Sequence, residues 1–195
     1  MKIFLKYKGI GFEAGFTVVE VIVAIFVVTV GIGGLVAFIQ FSEFTTRDAV
    51  VRLTAAYLAQ EGLEAVRQIR DSNLLEVHRG GAGTWQNNGL SEAACASGCQ
   101  LICRQAGTYY PFCGAQGGNI DIELVPFADE FLTQENGYYA QSSPIGQATP
   151  FKRKITITEG AADRLDVSVE VSWTLPRNTG SVTAATQLYD WLPAP

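Results

Sequence analysis

The sequence predicts an α+β protein: a long N-terminal helix, transmembrane in its first half, packed by its second half on an antiparallel β-sheet head. Three observations carry this. From Phe16 to Ile39 the only ionisable residue is Glu20. Beyond that run, Val50, Leu53, Tyr57, Leu63 and Val66 recur at helical spacings among Glu61, Glu64, Arg67, Gln68 and Arg70, the pattern of an amphipathic helix. Near the C-terminus, Leu165, Val167, Val169, Val171, Trp173 and Leu175 alternate with Asp166, Ser168, Glu170, Ser172 and Thr174, which is a strand with one buried and one wet face.

The elements follow in order. Residues 1–15 carry Lys2, Lys6 and Lys8 ahead of the apolar run and read as a targeting leader. Residues 16–39 span about 36 Å as a helix at ~1.5 Å per residue, enough for a hydrocarbon core of ~30 Å. The basic leader stays in the cytoplasm under the positive-inside rule, which puts the chain after Ile39 outside. A secretory signal has an apolar region of only ~7–15 residues and a small-x-small cleavage site. This run is longer, contains Glu20 and closes on Leu35-Val36-Ala37-Phe38. A plain signal anchor has no use for Glu20, whose carboxylate costs on the order of 2.5–3.5 kcal/mol at mid-membrane and less near an edge.

Residues 40–71 continue the helix amphipathically, and the turn-forming cluster Asp71-Ser72-Asn73 is expected to end it. Gly31, Gly33 and Gly34 interrupt the apolar half, each costing about 1 kcal/mol relative to Ala. They suit either close helix–helix packing or local loss of helicity. Residues 72–195 form the head. Within it, 77–119 is expected to be irregular, being rich in glycine and holding all four cysteines, Cys95, Cys99, Cys103 and Cys113. Residues 120–191 are expected to be sheet: Ile120, Ile122 and Leu124 alternate with acids, Ile155 and Ile157 lie in a strand from Phe151 to Glu159, and Leu165–Leu175 and Ser181–Trp191 continue it. The short links Gly160–Arg164 and Pro176–Gly180 make the last three strands an antiparallel meander. Its apolar face needs a cover, and the helix stripe needs a surface.

The stretch Gly15-Phe16-Thr17-Val18-Val19-Glu20, after a short basic leader and before an uncharged run, resembles the type IV prepilin signal. The resemblance covers roughly residues 1–70. Softer matches to PilV-like minor pilins are the segment Ala59–Arg70 and a closing strand ending in Trp191. The resemblance implies cleavage by prepilin peptidase between Gly15 and Phe16, N-methylation of Phe16, and Glu20 as the fifth residue of the mature chain. It also implies loss of helicity around the glycines when the helix packs in a filament. The partners it implies are prepilin peptidase, other pilin subunits and the inner membrane. The protein would be a minor pilin, a non-catalytic subunit of a type IV pilus or related filament. The alternatives are a type II secretion pseudopilin, or a membrane-anchored extracytoplasmic binding module or enzyme.

Outside the cytoplasm, an even number of cysteines in a glycine-rich loop reads as disulfides, and four allow three pairings. The rival is a thiolate metal site, with Cys95, Cys99 and Cys103 on one helix face. His78 is the only histidine, and Ser97-Gly98 and Ala106-Gly107 argue against a rigid helix there. No catalytic residues, metal or cofactor are expected: there is no Gly-x-Ser-x-Gly, phosphate loop or His-Glu-x-x-His. Asp121, Glu123, Asp129 and Glu130 lack EF-hand order and are expected on a wet strand face and in a loop. Net charge is −5. With Tyr109-Tyr110 and Tyr138-Tyr139 lacking a basic groove, nucleic acid is not an expected partner.

Overall fold

In the computed structural model the described residues are 15–87, 89–105, 108–110, 121–135, 137–141, 146–160, 164–176 and 178–192. The chain forms two compact units, Met1–Arg47 and Asp48–Pro195. Helix α1 runs Val18–His78. The head, Asp48–Pro195, adds among the described residues a short helix α2 (Glu92–Cys95) and nine strands: β1 Cys99–Gln105, β2 Thr108–Tyr110, β3 Asp121–Pro126, β4 Leu132–Glu135, β5 Tyr138–Gln141, β6 Gln147–Ala148, β7 Phe151–Glu159, β8 Arg164–Leu175 and β9 Asn178–Tyr189.

The main sheet has the order β2-β1-β7-β8-β9, with β3 also paired to β1; every pairing is antiparallel. The α+β class is therefore as the sequence predicts. On β8 the alternation sets the faces as expected: Leu165, Val167, Val169, Val171 and Trp173 are buried, and Glu170 is exposed. Ile155 and Ile157 of β7 join them, and α1 covers this face with Ala55, Leu58, Ala59, Leu63, Val66 and Ile69. The cover is close because the helix is small there. A Cβ added at Gly62 would lie 2.9 Å from Val169 Cγ1 and 3.2 Å from Arg153 Cδ.

Several expectations are corrected. The helix does not stop at Asp71. Asn73 is buried at 1% exposure, and its Nδ2 donates to the carbonyls of Trp85 (3.1 Å) and Asn87 (2.8 Å). A residue that favours turns in isolation here serves a long-range contact, and α1 continues to His78. Residues 77–119 are not wholly irregular. Cys99, Leu101 and Cys103 are buried apolar positions of β1, with Gln100 buried as well, because a cysteine counts as a small apolar residue on a strand. Gly180 is not in a turn. It lies on β9 opposite Trp173, where an added Cβ would meet the indole at 2.6 Å. The closing strand ends at Tyr189; Trp191 follows it, exposed, its indole donating to Asp71 at 3.3 Å. The helix stripe is also shifted. Leu63 and Val66 are buried, but Val50, Leu53 and Tyr57 are exposed.

A second sheet, β5-β4-β6, has no counterpart in the expected meander. Gly137, just before β5, has φ 86°, a left-handed conformation that glycine adopts without strain.

The register makes two substitutions diverge. Val169→Asp buries an unpaired charge and should cost about 3–5 kcal/mol in urea unfolding. Glu170→Lys meets Lys154 across the strands but in water, and should cost below about 1 kcal/mol. Equal losses would place Val169 on the solvent side of β8.

Candidate functional site

The N-terminal motif sits at the start of α1. Gly15, Phe16 and Thr17 precede the first turn, and Phe16 is 80% exposed. Thr17 caps the helix. Its Oγ1 accepts from Glu20 N at 3.3 Å and its carbonyl accepts from Val21 N at 3.2 Å. Thr-x-x-Glu is thus the spacing of an N-terminal capping box, a local role the sequence reading did not assign to Thr17. Glu20 lies in the first turn, where the positive end of the helix dipole favours a carboxylate. Gly15, Phe16 and Glu20 thereby share one exposed helix start, and no described side chain covers it.

The following segment is an unpartnered apolar helix. One 18-residue window has mean hydropathy 2.8 and none of it is buried, so the helix is long and apolar enough to cross a membrane. Thr29 withdraws its hydroxyl by donating to the Phe26 carbonyl at 2.9 Å. A Cβ added at Gly31, Gly33 or Gly34 would meet nothing within 4 Å.

The cysteine constellation lies in the head. Cys95 ends α2, Cys99 begins β1, and a disulfide joins them with Cα atoms 5.1 Å apart. Both are fully buried. Cys99 is also the residue through which β1 meets β7, opposite Ile155, so the disulfide ties α2 to the sheet where β1 joins it. Cys103 is disulfide-bonded as well; Cys113 lies outside the described residues. Cys99 and Cys103 share a strand face, not the helix face a metal site would use, and no metal-ligating group of three forms among the described residues.

The remaining candidates disperse. His78 is the exposed last residue of α1. Glu123 lies on β3, and Asp121 begins that strand. Asp129 and Glu130 are in the loop before β4, where Asp129 pairs with Lys152 at 3.0 Å. Tyr109 and Tyr110 lie on β2. Tyr138 is exposed, while Tyr139 packs edge-on against Phe151, ring centroids 6.3 Å apart.

Sequence reasoning missed Arg153. It lies on the helix-facing side of β7, 4% exposed, its Nη1 3.4 Å from Glu61 Oε1, and its Nε has no hydrogen-bond partner among the described residues. The signal was present: position 153 falls in phase with Phe151, Ile155 and Ile157. No protein-family model, curated protein or solved structure matches the chain.

Removing the short disulfide with Cys95→Ser and Cys99→Ser should lower head stability by about 2 kcal/mol, the loop-entropy value for so short a ring. Urea unfolding against the parent measures it. Thiol labelling of the unreduced, denatured parent should find no free cysteine; labelled thiols together with bound metal would restore the metal reading.

Proposed function

We propose that the chain is a minor pilin, a non-catalytic subunit of a type IV pilus or related filament. One observation carries the reading: Glu20 is the single charge in the exposed apolar stretch from Phe16 to Ile39, one helical turn after Phe16. The precursor enters the inner membrane by this helix, and prepilin peptidase cuts after Gly15. The freed amine of Phe16 is mostly cationic at neutral pH, since an α-amino group ordinarily titrates near ~7.7–8.0, and methylation keeps it basic. Amine and carboxylate are each costly in an apolar setting. Pairing Glu20 with the amine of a neighbouring subunit relieves both and fixes the axial register of the two helices.

Within the head, the exposed side of α1 carries Val50, Leu53 and Tyr57 at spacings of three and four, an apolar strip. Neighbouring subunits packed by their helices would cover it.

Intact mass and N-terminal sequencing of the protein from native membranes test the processing. Residues 1–15 should be absent, with one methyl group added to Phe16. Retention of Lys2 to Lys8 overturns it. Carbonate extraction should leave the chain in the membrane fraction. Glu20→Ala should be cut and retained in the membrane normally, while its content in sheared filaments falls about tenfold or more, the effect of losing ~1.4 kcal/mol of pairing. Parental levels of the Ala variant in filaments would refute the assembly role.

A further inference from the structure

The outer face of the main sheet, turned away from α1, carries a polar trough. On this face β7 and β8 present their even-numbered residues and β9 its odd-numbered ones, since the alternate positions face the core. The register sets three short residues in line across the strands: Thr156 lies opposite Ser168, and Ser168 opposite Ala185. One step towards the β7–β8 turn the line is Thr158, Asp166 and Gln187. One step the other way it is Lys154, Glu170 and Thr183. A row of short side chains between two rows that carry longer ones leaves a depression across the strands. A groove of about 390 Å³ lies there, lined by the short row and by Thr158, Asp166 and Gln187. That volume falls in the ~300–1,000 Å³ range of small-molecule sites. Three strands at a spacing of ~4.8 Å make the groove roughly 10 Å long.

Its hydrogen-bonding groups are open. The hydroxyls of Thr156 and Ser168 have no partner among the described residues. Gln187 Oε1 accepts from Tyr189 Oη at 2.8 Å, which leaves the Gln187 amide nitrogen to donate. Asp166 Oδ2 accepts from Arg164 Nη2 at 3.0 Å, and its Oδ1 is enclosed without a partner among the described residues. A donor that draws this carboxylate towards the trough breaks no bond at that oxygen. The backbone of β8 is engaged by β7 on one side and β9 on the other, so side chains alone read a ligand here.

Charge and polarity select the occupant. Arg164 offsets Asp166, and Lys154 faces Glu170 across the strands, so the trough offers no net charge to an anion or a cation. Val167, which also borders it, is buried on the core side, and Thr186 turns its hydroxyl to Arg67. The Ala185 methyl is then the single apolar group on the floor, too little for the side chains of an apolar peptide. Tyr189, two residues along β9 on the same face, is 46% exposed, and its ring offers an apolar surface beside the polar groups. We propose that this trough binds a neutral sugar. The hydroxyls of Thr156 and Ser168 and the amide of Gln187 engage the sugar hydroxyls, Asp166 accepts from one of them, and Tyr189 stacks on the C–H face of the ring. The site lies wholly within the head and stands independently of the function proposed above.

The probe is a panel of methyl glucoside, methyl galactoside and methyl mannoside, each titrated into the full-length chain. The chain is held in micelles of a phosphocholine detergent, which has no sugar headgroup, and amide shifts are read by NMR. At least one glycoside should give saturable shifts at Thr156, Ser168, Ala185 and Gln187. Ser168→Ala should weaken that binding about fivefold, equivalent to ~1 kcal/mol for one hydrogen bond. Ala185→Tyr fills the trough at an exposed strand position that suits an aromatic residue. It should abolish binding while urea unfolding stays at the parental midpoint. The absence of saturable shifts at these four residues with all three glycosides overturns the proposal, as does binding that survives Ala185→Tyr. Equal shifts from sodium phosphate overturn the choice of a neutral ligand.

Discussion

The head depends on how closely α1 can lie on β8. That distance is set at Gly62, above Val169, and is helped by Ala55 and Ala59 on the same helix face. Large residues there would lift the helix off the sheet, and every apolar side chain on β7 and β8 would lose part of its cover. Burial of a Val, Leu or Ile side chain is worth about 1.5–3 kcal/mol, so the spacing governs the sum of many such terms. The same closeness encloses Arg153. Its guanidinium lies beside Glu61 without an aligned hydrogen bond, and Glu61 keeps one side in water. Such a pair contributes little net stability, but it marks one position along the helix opposite one position along β7.

The N-terminal half of α1 obeys a different constraint. From Val18 to Ile39 its apolar side chains are exposed, and its threonine is satisfied by the helix itself. The cap at Thr17 starts the helix immediately after Phe16. The residues that look like a processing signal are therefore also the residues that determine where the helix begins, and Glu20 serves in its first turn.

The strongest periodicities were legible in the sequence. Leu165–Leu175 could be assigned with its faces because period two over that length has no other economical reading, and Phe151–Glu159 was bounded correctly. Long-range contacts were not legible. Asn73 looks like a stop until Trp85 and Asn87 are known to receive its amide. Gly180 looks like a turn until Trp173 is opposite it. Cys99 and Cys103 were read for their sulfur chemistry, which concealed that they are also the apolar positions of a strand. Of the candidate site residues, Gly15, Phe16 and Glu20 could be picked out because they lie within six consecutive residues. Arg153 is in phase with Phe151, Ile155 and Ile157, but the pattern does not say which residue on the helix lies beside it.

The contacts of α1 with β9 join residues 119 and 130 positions apart. The helix is made first and its cover last. A chain synthesised from its N-terminus therefore leaves Leu58, Leu63 and Val66 uncovered until β7 and β8 have been made. Contacts of such separation fold slowly, because the loop must be closed before they contribute. The Cys95–Cys99 ring, only four residues apart, closes independently of that wait. Oxidation can precede assembly of the head, so the cysteine segment is the part that can be fixed while the rest of the domain is still arriving.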